Sequence, residues 1–132
     1  MSTEIVENGA ALRPTVLLVE DEVQVRQLVE RVLERQGFAI LTAENGSDAV
    51  AVSGTHQGPI DLLLTDVVMP NMGGPEAADL IRKQRPTIRV IYMSGYSEEM
   101  FRLQSEPGHQ AVFLGKPFTP DDLRRIIRDV LS

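Results

Sequence analysis

Five short apolar runs, each followed by a polar or amphipathic stretch, constrain this chain more than any other feature. They are Thr15 to Val19, Phe38 to Leu41, Leu62 to Leu64, Val90 to Met93 and Ala111 to Leu114. None alternates cleanly between apolar and polar, so each predicts a strand buried on both faces, as in a parallel sheet. Helical spacing fills the stretches between them. Val25, Leu28, Val29, Val32 and Leu33 form a stripe at i, i+3, i+4, i+7 and i+8, and Gly37 stands where a C-terminal cap belongs. Leu123, Ile126, Ile127, Val130 and Leu131 repeat the pattern after Thr119, Pro120 and Asp122, a capping-box-like start with proline at the first helical position. Further helices are predicted after Pro75, near Ser47 to Ser53, and from Ser97 to Glu106, a mostly polar segment closed by Pro107-Gly108.

Alternating strands and helices specify the α/β class. Right-handed crossovers, with no stretch made of strands alone, favour a doubly wound, five-stranded parallel sheet flanked by five helices. Residues 1–13 show no period and read as a flexible tail or linker, leaving 14–132 as one domain. The chain's 132 residues are enough for a single core, and 42% hydrophobic with 24% charged residues argues against disorder. There is no cysteine, which excludes disulfides, zinc–thiolate sites and thiol nucleophiles. No apolar stretch approaches a membrane span and no signal peptide is visible, so the expectation is a cytoplasmic protein without membrane contact. A formal net charge of −6 disfavours direct contact with nucleic acid.

What the apolar runs end on is more telling. Glu20 and Asp21 follow the first, Asp66 closes the third, Ser94 the fourth, and Lys116 lies just past the fifth. All belong to the carboxyl edge of the sheet, where open α/β folds bind ligands. Taken singly, each has a plain structural reading. Glu20 suits a helix start, Ser94 beside Gly95 suits a turn, Phe113 suits the core, and Lys116 suits the surface. Matched polar groups on four strand ends are harder to assign to chance. A nucleotide site would place a glycine-rich or hydroxyl-rich loop after the first strand. Glu20-Asp21-Glu22 instead repels phosphate and suits a hard cation, and a few oxygen ligands completed by a substrate phosphate describe Mg²⁺. Asp66 can then act as a carboxylate nucleophile that accepts a phosphoryl group, with the metal and Lys116 neutralising charge. Like charges crowded at Glu20, Asp21 and Asp66 predict raised pKa values.

Glu20-Asp21, Asp66 in "DVVMPNMGG", "MSGY" around Ser94 and "FLGKP" around Lys116 together resemble a response-regulator receiver domain, over about residues 14–131. The resemblance implies a flavodoxin-like sheet in the order 2-1-3-4-5. It also implies phosphoryl transfer onto Asp66 from a phosphohistidine on a histidine kinase or histidine phosphotransfer domain. Asp21 and Asp66 would hold Mg²⁺ with the backbone carbonyl of Val68, and Glu20 mostly through water. Lys116 would pair with Asp66 and then with its phosphate. Ser94 would swing to a phosphate oxygen as Phe113 changes rotamer, and the Lys116–Pro117 bond would be cis. On this pattern the helix around Ser97 to Glu106, strand 5 and the last helix form the partner surface.

Some positions depart from the commonest family pattern. Glu20 replaces an aspartate and lengthens the reach to the water shell. Phe113 replaces a frequent tyrosine, and Val68 and Tyr96 would shape access of the hydrolytic water. Three rivals share parts of the pattern. A flavodoxin-type electron carrier is opposed by the acidic first loop. A haloacid-dehalogenase-type phosphatase needs a second aspartate where Val68 stands. A pseudo-receiver usually lacks the acidic pair or the lysine, and both are present. Nothing after the last helix suggests a DNA-binding module. The choice lies between a stand-alone receiver and a fragment, and the motif wording is most like receivers at the C-terminus of hybrid sensor histidine kinases, with residues 1–13 as the linker. His56 and His109 receive no role.

Overall fold

In a computed structural model, residues 13–95 and 112–132 are described. The elements run β1 (Thr15–Val19), α1 (Val23–Arg35), β2 (Ala39–Ala43), α2 (Gly46–Thr55), β3 (Leu62–Asp66), α3 (Gly74–Gln84), β4 (Arg89–Ser94), β5 (Val112–Gly115) and α4 (Pro120–Leu131). The strands form one sheet in the order β2-β1-β3-β4-β5, with every pairing parallel. Four helices lie among the described residues where five were expected. The fifth, from Ser97 to Glu106, falls outside them.

The unalternating strands explain the two-sided core. Val16 and Leu18 of β1, Leu62 and Leu64 of β3, and Ile91 and Met93 of β4 pack with Val29, Val32 and Leu33 of α1 and with Leu123 and Ile127 of α4. The intervening residues Leu17, Val19, Leu63, Val90 and Tyr92 face the other way, towards Ala49 of α2 and Ala78 and Ile81 of α3. Each wholly buried leucine contributes roughly 1.5–3 kcal/mol, so β1 and β3 anchor both layers. Leu28 departs from its predicted stripe and is 48% exposed, because it sits at the edge of the α1 face.

Local signals set the helix limits. After α1, Gly37 adopts φ 91°, its N–H donates to the Glu34 carbonyl and that of Phe38 to Leu33, a left-handed stop that a side chain would disfavour. At the start of α4, Thr119 and Asp122 exchange side-chain and backbone hydrogen bonds at 3.0 and 3.1 Å, the predicted capping box. The apolar run that precedes α1 therefore delivers Glu20 and Asp21 to the same sheet edge as Asp66, Ser94 and the turn holding Lys116.

Candidate functional site

β1 ends where its backbone passes from the sheet to α1. Glu20 is still held by the sheet, its N–H donating to the Ala43 carbonyl at 3.1 Å, and it is fully buried. Its carboxylate accepts from Lys116 Nζ at 2.7 Å and from the Glu22 N–H at 3.1 Å. Asp21, one residue on, is exposed. Asp66 closes β3 at 7% exposure, and its Oδ1 lies 2.8 Å from the same Lys116 Nζ. One ammonium thus bridges two carboxylates that are 46 residues apart in the chain. Oxygens of Glu20, Asp21 and Asp66 all come within 4.8 Å of one another. Beside them opens a cavity of about 420 Å³, lined among others by Asp21, Asp66, Val68, Ser94 and Lys116.

The flanking residues are placed as follows. Ser94 is buried at the end of β4, and its carbonyl accepts the Lys116 N–H at 2.9 Å, which seats the lysine turn against the strand. The Lys116–Pro117 peptide bond is cis. Phe113 is half-buried on β5, its ring 5.6 Å from that of Tyr92 and tilted by 32°. It packs on the α2 and α3 side, not directly on the carboxylates. Val68 is 54% exposed, unusual for a valine, and lies at the cavity mouth. Tyr96 and His109 lie outside the described residues.

The loop from Val67 to Gly74 is closed tightly. The Gly74 N–H donates to the Val67 carbonyl at 2.9 Å, and a Cβ on Gly74 would fall 2.0 Å from the Asp66 carbonyl oxygen. No side chain fits there, so the glycine that ends the loop lets α3 begin against the back of the aspartate. Asn71 takes a left-handed φ of 71° at the turn, a conformation asparagine tolerates better than most residues.

Electrostatics at the site are uneven. Burial pushes the Glu20 carboxyl from 4.5 up to about 7; the Lys116 hydrogen bond opposes this and the nearby Asp66 charge adds to it. Loss of hydration is therefore the first cause, where crowding of like charge had been expected. Burial pulls the Lys116 ammonium down, but its hydrogen bonds to Asp66 and Glu20 outweigh this and its pKa is raised. Three carboxylates against one ammonium leave a surplus of about two negative charges when all are ionised. An all-oxygen donor set with that surplus fits a hard divalent cation.

Sequence reasoning missed Arg26. From the first turns of α1 its guanidinium donates to the Glu20 backbone carbonyl at 2.6 Å and reaches Glu44 on β2's exit at 4.0 Å. An arginine one to two helical turns beyond an acidic loop was the available signal. The direct Glu20–Lys116 bond was also missed, since it joins residues 96 apart.

The chain is similar to known proteins over most of its length. The family described as "Response regulator receiver domain" matches residues 16–128. "Sensor kinase CckA" of Brucella abortus (strain 2308) is 37% identical over 118 residues, which are 89% of this chain and 12% of that protein. The crystal structure of the receiver domain from hybrid histidine kinase CckA superposes with a TM-score of 0.76 at 33% identity, covering 89% of this chain and 99% of that one. That of response regulator protein TrrA from Thermotoga maritima, in complex with Mg²⁺-BeF, gives 0.77 at 31% identity and covers 89% and 99%.

Proposed function

The chain belongs to the response-regulator receiver domain family, and from that premise we propose that Asp66 accepts a phosphoryl group from a phosphohistidine of a histidine kinase or histidine phosphotransfer domain. The observation that carries this reading is the sharing of one lysine ammonium by Glu20 and Asp66 beside an open acidic cavity. One ammonium offsets only part of the negative charge of Glu20, Asp21 and Asp66.

In this reading an Asp66 carboxylate oxygen forms the new P–O bond while the P–N bond to the donor breaks, and the electron pair stays on the histidine. Lys116, already 2.8 Å from Asp66 Oδ1, is placed to follow the transferred group's oxygens. Asp21, Asp66 and the backbone carbonyl of Val68 would hold Mg²⁺, with Glu20 acting mostly through water. The metal supplies neutralisation of charge on the phosphoryl oxygens. Glu20, locked between Lys116 and the Glu22 N–H, orients the ammonium. Ser94 and Phe113 are the switching pair: the Ser94 hydroxyl turns to a phosphate oxygen and Phe113 changes rotamer from its present place beside Tyr92. Val68 offers no polar atom from its side chain to orient an attacking water, so the acyl phosphate hydrolyses more slowly than with a polar residue at that position.

The isolated domain is a phosphoacceptor that promotes its own phosphorylation and dephosphorylation. A hybrid sensor kinase is the favoured setting, supported by the 37% identity to Sensor kinase CckA, of which this chain spans 12%. Direct contact with nucleic acid or membrane plays no part in this reading, and a cytoplasmic location goes with it. No described helix is long and apolar enough to cross a membrane. Incubation with acetyl phosphate and Mg²⁺ tests the assignment: intact-mass analysis should find one phosphoryl adduct on the wild type, mapped to the peptide holding Asp66. An equal adduct on Asp66→Asn would overturn it.

A further inference from the structure

The N-terminus of α2 meets the loop after Asp66 backbone to backbone at Gly46 and Met72. Asn45 caps α2, its side chain accepting the Asp48 N–H at 2.9 Å. The Gly46 N–H, one of the donors that a helix start leaves without an intrahelical partner, instead reaches out to the Met72 carbonyl at 3.0 Å. Met72 follows the Asn71 turn in the loop whose base is closed by the bond from Gly74 to Val67. The approach is as close as it can be. A Cβ on Gly46 would stand 2.4 Å from the Met72 carbonyl oxygen and 2.9 Å from its carbon. Because the obstacle is backbone, no side-chain rotation relieves it, so helix or loop must move. Gly54, on the same helix, is different: its Cβ would meet only Gln84 Nε2, at 3.6 Å, an ordinary contact.

We propose that Gly46 is a positioning residue which couples the seating of α2 to the acidic cavity, through the loop that carries Val68. Moving α2 off Met72 weakens divalent-cation binding and phosphoryl acceptance. The inference rests on the reading of Asp66 as acceptor. Coupling between sites is reciprocal, so filling the cavity must also tighten the contact between Gly46 and Met72.

The test uses Gly46→Ala and Gly54→Ala in the full chain, with Mg²⁺ titrated by calorimetry and beryllofluoride added as the phosphoryl mimic. Gly46→Ala should bind Mg²⁺ about five- to tenfold more weakly than wild type, a typical coupling strength, and take up beryllofluoride correspondingly less. Gly54→Ala should match wild type. A folded Gly46→Ala that binds like Gly54→Ala overturns the proposal. Amide exchange at Gly46 in the wild type gives a second arm that needs no variant to fold. Mg²⁺ with beryllofluoride should slow it about five- to tenfold, and unchanged exchange overturns the proposal whatever the variant does. If wild type binds no Mg²⁺, the acceptor reading itself fails, before any variant is compared.

Discussion

Asp61 and Asp66 bracket the same strand, yet their surroundings are opposite. Asp61 stands at the amino end of β3 and is satisfied by the backbone. Its Oδ2 accepts the Thr15 N–H at 2.7 Å, its N–H donates to the Thr15 carbonyl at 2.9 Å, and its carbonyl accepts the Arg89 N–H at 3.1 Å. Its carboxylate ties it to β1, and its backbone bonds link the start of β3 to both β1 and β4. Asp66 stands at the carboxyl end, where it shares Lys116 with Glu20 and meets Asp21 across less than 4.8 Å. One aspartate is bound up in the fold, and the other is kept short of compensation. The difference shows that strand-end acids are to be judged by their partners rather than by burial.

Substitutions at the two ends of β3 should therefore act differently. The largest effect is expected at Lys116→Ala, which should slow phosphoryl uptake by about 10²–10³-fold, the usual loss when a preorganised cationic or hydrogen-bonding group is removed. Asp61→Ala should leave uptake within about twofold. A rate of uptake by Lys116→Ala equal to that of Asp61→Ala would erase the distinction between the two ends of β3.

Next in size is pH. Glu20 has its folded pKa raised from 4.5 to about 7, so the folded state holds more protons than the unfolded one in that window. Stability of the metal-free domain should therefore be highest below pH 4.5 with respect to this group and fall as pH rises to about 7, by on the order of 3 kcal/mol. The raised Lys116 pKa works in the other range: its contribution is complete below the ordinary 10.5 and is lost only as pH rises through the higher folded value. Denaturant melts of wild type and Glu20→Gln across pH 5–8 check this, and the variant should show the flatter curve.

Asp61→Ala should destabilise the domain by about 1.5–3 kcal/mol, the scale of a hydrogen bond to a charged group. Its melting transition should fall with no change in Mg²⁺ affinity.

The smallest expected effect is the Mg²⁺ increment. At ten times its Kd, mass action gives about 1.4 kcal/mol, or roughly 3–6 °C in melting temperature for a domain of this size. Asp21→Ala should nearly abolish that gain, while Asp61→Asn should keep it.

Much of this was legible in the sequence, and the parts that were not have a common cause. Strand runs such as Leu62 to Leu64 announced themselves because burial on both faces removes polar residues altogether. The capping box at Thr119 and Asp122, the stop at Gly37 and the strand-end placement of Asp66, Ser94 and Lys116 are local signals and were readable. α2 was faint because glycines at 46 and 54 thin its apolar stripe. Their spacing gives no hint that the first touches Met72. Arg26 on the Glu20 carbonyl, and the lysine shared between Glu20 and Asp66, depend on distances that only the folded sheet creates. The same holds for the cause of the raised Glu20 pKa, since complete burial of a residue next to exposed Asp21 is not a property of composition.

With Asp66 as acceptor, the carboxyl end of β3 sacrifices stability for chemistry while the amino end does not. Metal-free thermal melts of Asp61→Asn and Asp66→Asn at neutral pH test it most directly, because the same chemical change is made at both ends of one strand. Asp61→Asn should lower the melting temperature, since a charged acceptor of the Thr15 N–H is lost. Asp66→Asn should raise it, since one of three crowded carboxylates is neutralised. A fall in both would contradict the account and make Asp66 another stabilising acid.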